Sequence, residues 1–230
     1  MPEKSTISVP GQGRVTVRPD LADLRVGISL TERSVQAART AGAVALQGIL
    51  SRLRTLGVKD ADIQTSVVSM TPAYDYSDRN PPRLIGYALT NTVSVTIRDL
   101  DRVGDVIDGA LTSGATTLDG LSFRVAHPEP AQRKARELAV ADARSRAETL
   151  AAAAAVEITG VAAISEGGAE PPFQPYPALR SMAMAKDEST PVEAGMNEIS
   201  VSVTVTFTIR SPVGAPRDAA ARRSTRQQAE

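Results

Sequence analysis

From Ile199 to Arg210 the chain alternates without a break: Ile199, Val201, Val203, Val205, Phe207 and Ile209 are separated by Ser200, Ser202, Thr204, Thr206, Thr208 and Arg210. Only a β-strand, whose side chains repeat every two residues, sets these apolar residues on one face and the hydroxyls on the other. The pattern recurs in Leu24, Val26, Ile28 and Leu30, and again in Ile85, Tyr87, Leu89, Val93, Val95 and Ile97, where Asn91 alone interrupts the apolar side. Strands of this kind belong to sheets with one packed face and one wet face, so something else in the chain must supply the cover.

The cover is predicted where the period changes. Ala38, Ala41, Ala45, Ile49, Leu53 and Leu56 fall three or four residues apart between Ser34 and Leu56, and Gly57 follows where a left-handed cap would end a helix. A short helix is expected over 99–113, with carboxylates in its first turn and Gly114 at its end, and a long alanine-rich one from Pro130 to about Ala155. Further strands are read at Ile7–Val17, Ile63–Met70, Leu118–Val125 and Val161–Ser165, with Pro19-Asp20 as a hairpin turn between the first two strands. The stretch TPAYDYSDRNPPR reads as a long loop.

The predicted class is α+β: two intertwined α/β-sandwich subdomains with mainly antiparallel sheets and helices packed on one face. The last strand is placed among the N-terminal strands, so the partition expected is 5–84 plus 192–210 as a discontinuous subdomain and 85–166 as an inserted one. Residues 167–191, with PPFQPYP, form a proline-rich excursion, and 211–230, without periodicity, a disordered tail.

Composition narrows the function. Lys plus Arg and Asp plus Glu both number 26, so no field of one sign steers the chain toward nucleic acid or anionic lipid. With no Cys there is no disulfide, thiolate nucleophile or sulfur-based zinc site, and a single His leaves little for an imidazole metal site. With no Trp, the stacking platforms typical of single-stranded nucleic-acid binders are lacking. Nucleic acid is therefore not an expected partner, and no cofactor is expected. The longest apolar run, Leu150 to Val156, falls far short of the roughly 20 residues that span a bilayer. MPEKSTISVPGQG does not read as a signal peptide, so the expectation is a cytoplasmic protein as the sequence stands, or alternatively an exported mature form.

Several residues invite a chemical reading and are given a structural one. His127 lacks an orienting nucleophile or carboxylate apart from Glu129 and is assigned to the surface. Gly11-Gln12-Gly13 lacks the third glycine and helix of a phosphate loop and is assigned to a bend or bulge. Asp99, Asp101, Asp105 and Asp108 fail the calcium-loop pattern at Val103 and Ala110 and read as a solvated helix start. Arg133, Lys134, Arg136, Arg144 and Arg146 are interrupted by Glu137, Asp142 and Glu148 and read as an ion-paired helix face. Arg217, Arg222, Arg223 and Arg226 read as a solubilising end. No catalytic or metal-ligating residue is assigned. Tyr74, Tyr76, Phe173 and Tyr176 differ: they are placed in proline-bearing loops, where aromatic side chains serve either as anchors on their own subunit or as contacts with another.

The order of landmarks resembles the SIMPL-domain family. It is carried over about residues 5 to 210 by the PDLA turn, Gln64-Thr65, Pro72-x-Tyr74, the Gly86-Tyr87 strand start, DAR-x-RAE in the long helix, and the final Ser/Thr-Val strand. The resemblance implies an α+β fold in two parts, ring-like or channel-like homo-oligomers among bacterial relatives, and an association with oxidative-stress defence, without an established reaction or cofactor. The expected function is a non-enzymatic, self-assembling scaffold whose partner is itself; the alternatives are a small-molecule or peptide binding module and, with least support, a hydrolase.

Overall fold

The computed structural model describes residues 5–77, 81–167, 174–176 and 190–211. The elements run β1 (Thr6–Val17), β2 (Leu21–Glu32), α1 (Val35–Thr55), β3 (Ile63–Asp75), β4 (Arg83–Ile97), α2 (Val103–Thr112), β5 (Thr117–Arg124), α3 (Glu129–Ala153), β6 (Glu157–Glu166), β7 (Gln174–Tyr176) and β8 (Met196–Arg210). They form an α+β fold with two sheets, ordered β1-β8-β6, with β7 also pairing to β8, and β3-β4-β2-β5. The described residues divide into two compact units, one made of 5–16, 128–167 and 198–211 and the other of 17–77, 81–127, 174–176 and 190–197.

One unit holds β2 to β5 with α1 and α2. Its strands pair antiparallel, with Leu24 opposite Val95 and Val26 opposite Val93, and these residues are buried with Ile49 and Leu53 of α1 and Val103, Val106 and Ile107 of α2. The Ser34 hydroxyl caps α1 by accepting from the Ala37 amide at 3.2 Å. At its other end Gly57, with φ +89°, lets its own amide reach the Arg54 carbonyl and the Val58 amide reach that of Leu53. This is the left-handed ending that glycine tolerates best. The wet face is cross-linked within itself: Arg124 holds Asp23 through Nε and Nη2, and the Thr96 hydroxyl donates to the same carboxylate at 2.8 Å.

The other unit holds β1, β8, β6 and α3. Ser8 meets Thr206 and Arg14 meets Glu198, so β1 and β8 run antiparallel. Ala135, Ala139, Ala143, Ala147 and Ala151 form the buried stripe of α3, of which Ala139, Ala143 and Ala147 share a core with Val9 of β1 and Val203, Val205 and Phe207 of β8. Leu138 and Leu150 of the same helix are exposed, because an alanine seam lets the helix approach too closely for leucine to enter.

Three expectations are corrected. Val17 and Leu21 do not join a hairpin, since β1 pairs with β8 whereas β2 pairs with β4 and β5. The partition differs accordingly: β2 and β3 lie with β4 and β5, and α3 and β6 with β1 and β8, because hydrogen bonds follow the sheets and not chain order. Gly11 and Gly13 mark no bend. They lie within β1 under α3, where an added Cβ would collide with the carbonyl oxygens of Ala139 and Ala135 respectively. Here glycine serves close backbone approach.

Candidate interaction surface

The strand β3 continues to Asp75, five residues past Met70, so Tyr74 stands in a strand and not in a loop. On β4, the pairing with β2 ends where Tyr87 meets Glu32, while pairing with β3 continues through Ala73–Gly86, Tyr74–Leu84 and Asp75–Arg83. Residues 83–86 therefore pair only with β3 among the described residues, and the two strands leave the sheet as a ribbon. At the branch point Gly86 lets the end of β2 come close, because a Cβ there would collide with the Glu32 carbonyl oxygen. A bulge at Ala73/Tyr74 adds twist.

This arm exposes Leu84 and Ile85 along with both tyrosines, Tyr74 at 44% and Tyr76 at 72%, while Val67 and Val68, also exposed, lie further back on β3 where β4 still pairs with β2. The two rings meet edge to face with centroids 6.3 Å apart, a favourable quadrupole arrangement. The tip is organised by Asp75, whose Oδ1 accepts from the Ser77 amide at 2.9 Å and the Ser77 hydroxyl at 2.6 Å. Those bonds hold the Asp75 carboxyl below its ordinary value. A ribbon with apolar side chains on both faces has no core of its own to bury them. It offers area, not chemistry.

The structure brings Tyr74 and Tyr76 together. Phe173 lies outside the described residues, and Tyr176 is described only as part of the β7 backbone. The Leu84-Ile85 pair is not singled out by the sequence reading, although the signal is there: neighbours on a strand point to opposite faces, so an apolar pair leaves one member on each side.

The remaining candidates are placed as follows. His127 is exposed between β5 and α3. Asp108 accepts from the Thr190 hydroxyl at 2.6 Å and its amide at 2.9 Å, pinning the segment that returns to β8. On α3, Lys134 pairs with Glu137, Arg136 with Glu166, Arg144 with Glu148 and Arg146 with Asp142. Among the described residues no three His, Asp or Glu side chains lie close enough to hold a metal ion, and no helix is long and apolar enough to cross a membrane. The arginines from 217 onward lie outside the described residues.

A two-unit α+β protein with an exposed apolar arm is the class that fold and surface define. The SIMPL profile, described as a protein of unknown function (DUF541), matches residues 7–207. The 26 kDa periplasmic immunogenic protein of Brucella melitensis is 33% identical over 217 residues, covering 90% of this chain and 86% of that one. Protein YggE of Escherichia coli K12 is 28% identical over 194 residues, covering 84% and 76%. The chain belongs to the SIMPL family.

Proposed function

We propose that this protein is a non-enzymatic scaffold that works by associating with copies of itself, in an exported location. The observation that carries the reading is the β3–β4 arm. It sets Tyr74, Tyr76, Leu84 and Ile85 side by side on one exposed ribbon, and apolar surface left open in this way is characteristic of protein contacts. A heterologous contact, in which the arm of one copy seats on a different surface of the next, closes into a ring when the rotation fits. Stress defence, implied by the family resemblance, is the process such a scaffold would serve. The export reading is supported by the word periplasmic in the name of the Brucella relative. None of the relatives named above carries an enzymatic name, in keeping with the scaffold reading.

Sedimentation of the purified chain tests the proposal. A closed assembly gives one discrete species much heavier than 24.2 kDa across a range of concentrations. A single species of 24.2 kDa at every concentration overturns it and moves the arm to a role in binding some other molecule.

A further inference from the structure

We infer that the outer edge of β6 pairs antiparallel with β6 of a second copy about a two-fold axis at Val161; this rests on the self-association reading and adds a second contact to that of the arm. Among the described residues β6 ends its sheet, and the other sheet edges are blunted. On β1, Pro10 has no amide hydrogen and the Gln12 amide is already given to Asp142 at 2.8 Å. On β3 stand Pro72 and two bulges, and β5 is irregular around Gly120, whose φ is +152°. Proline, bulges and occupied amides are the usual guards of a strand edge. Although β6 is itself bulged, it contains no proline and no charge between Glu157 and Glu166, and it exposes Val161 at 53% and Ile164 at 56%.

The occupant follows from the pattern on the strand. Ile158, Val161 and Ile164 lie opposite Ile209, Phe207 and Val205, so all three stand on the face that carries the core, and the bulges between them keep them there. Ile-x-x-Val-x-x-Ile is symmetric about Val161. A second β6, carrying the same bulges, would set Val161 against Val161 and Ile158 against Ile164, extending the apolar row of β8 across the boundary. The charges agree with this register. Glu157 would face Ser165, and Glu157 and Glu166 are on opposite faces, each already paired at 2.9 Å, with Arg210 and Arg136 respectively. Centring the axis between Val161 and Ala162 instead would oppose Glu157 to Glu166 and Ile164 to Thr159. A foreign strand gives no reason for such internal symmetry.

The chain has no cysteine, so single replacements read the register cleanly. Opposed antiparallel residues have Cα atoms about 4.5–5.5 Å apart, within disulfide reach. Under mild oxidation Val161→Cys should give a covalent dimer of twice 24.2 kDa in most of the protein. Ile164→Cys alone should stay single, because its copy lies six residues along, roughly 20 Å away. Adding Ile158→Cys to Ile164→Cys should restore the dimer. The inference is overturned if Val161→Cys remains single or if Ile164→Cys cross-links equally well. Protection of the outward β6 amides from hydrogen exchange in a monomer would also overturn it, assigning the edge to the same chain. Heavy particles with uncrosslinked Val161→Cys remove only the β6 contact, whereas a strict monomer removes self-association as a whole.

Discussion

A methyl group on Gly13 would collide with the carbonyl oxygen of Ala135 and stand 2.6 Å from the Ala139 amide nitrogen. Strand β1 and helix α3 thus touch backbone to backbone, with Gly11 making the same approach one turn further along the helix. The Gln12 amide between them is bonded to Asp142, itself held by Arg146 at 2.9 Å. The seam is the tightest constraint on this unit, and it admits no side chain.

Gly13→Ala should therefore destabilise the protein by about 3 kcal/mol, the upper part of the overpacking range, because backbone atoms cannot rotate away. Gly160→Ala, whose Cβ would meet only the Thr208 hydroxyl at 3.4 Å, should stay within about 0.5 kcal/mol of the natural chain. Urea unfolding of both variants checks the contrast; equal midpoints would mean that α3 does not rest on β1.

The end of α3 carries an avoidable cost. Ala155 has φ +53° while its amide reaches the Ala152 carbonyl and the Val156 amide reaches that of Ala151. A Cβ in the left-handed region costs roughly 1–2 kcal/mol, which glycine escapes at some expense in unfolded-chain entropy. Ala155→Gly should raise stability by about 0.5–1 kcal/mol, read as a higher urea midpoint at unchanged slope.

Acid should loosen the fold in a definite window. Asp62 is lowered from 3.8 chiefly by hydrogen bonds from Arg98, Asp108 by those from Thr190, and Asp142 by those from the Gln12 amide and Arg146. Each folded value lies below the unfolded one, so the stabilisation is complete above the unfolded value and is lost as pH falls through the folded value. Stability should stay flat on acidification toward pH 5 and decline below about 4. Asp142→Asn should show a shallower acid limb in thermal melts; an unchanged limb would assign the acid sensitivity to other groups.

Replacing Tyr74, Tyr76, Leu84 and Ile85 together by serine should leave the circular dichroism spectrum unchanged and shift the native particle toward smaller species. Central interface aromatics typically contribute about 2 kcal/mol or more each. Unaltered assembly in this variant would transfer the contact to another surface.

What the amino-acid order determined by itself was local. Period two marked β2, β4 and β8, helical spacing marked α1 and α3, and Gly57 and Gly114 marked helix ends, because each depends on residues within a turn or two of one another. The SIMPL resemblance rested on the order of these same landmarks. Tertiary structure alone decided which strands became neighbours. Ser8 bonds to Thr206 across 198 positions, and no local signal distinguished that partner from the nearby β2. It also decided the meaning of Gly11-Gln12-Gly13, because a glycine that makes a bend and one that admits a helix look alike until the helix is in place. Tyr74 was legible as an aromatic among prolines, but its exposure depended on β2 stopping at Glu32 while β3 and β4 ran on. Burial is a property of what arrives from elsewhere in the chain, so a side chain's character can be read from its position in the sequence, but its surroundings cannot.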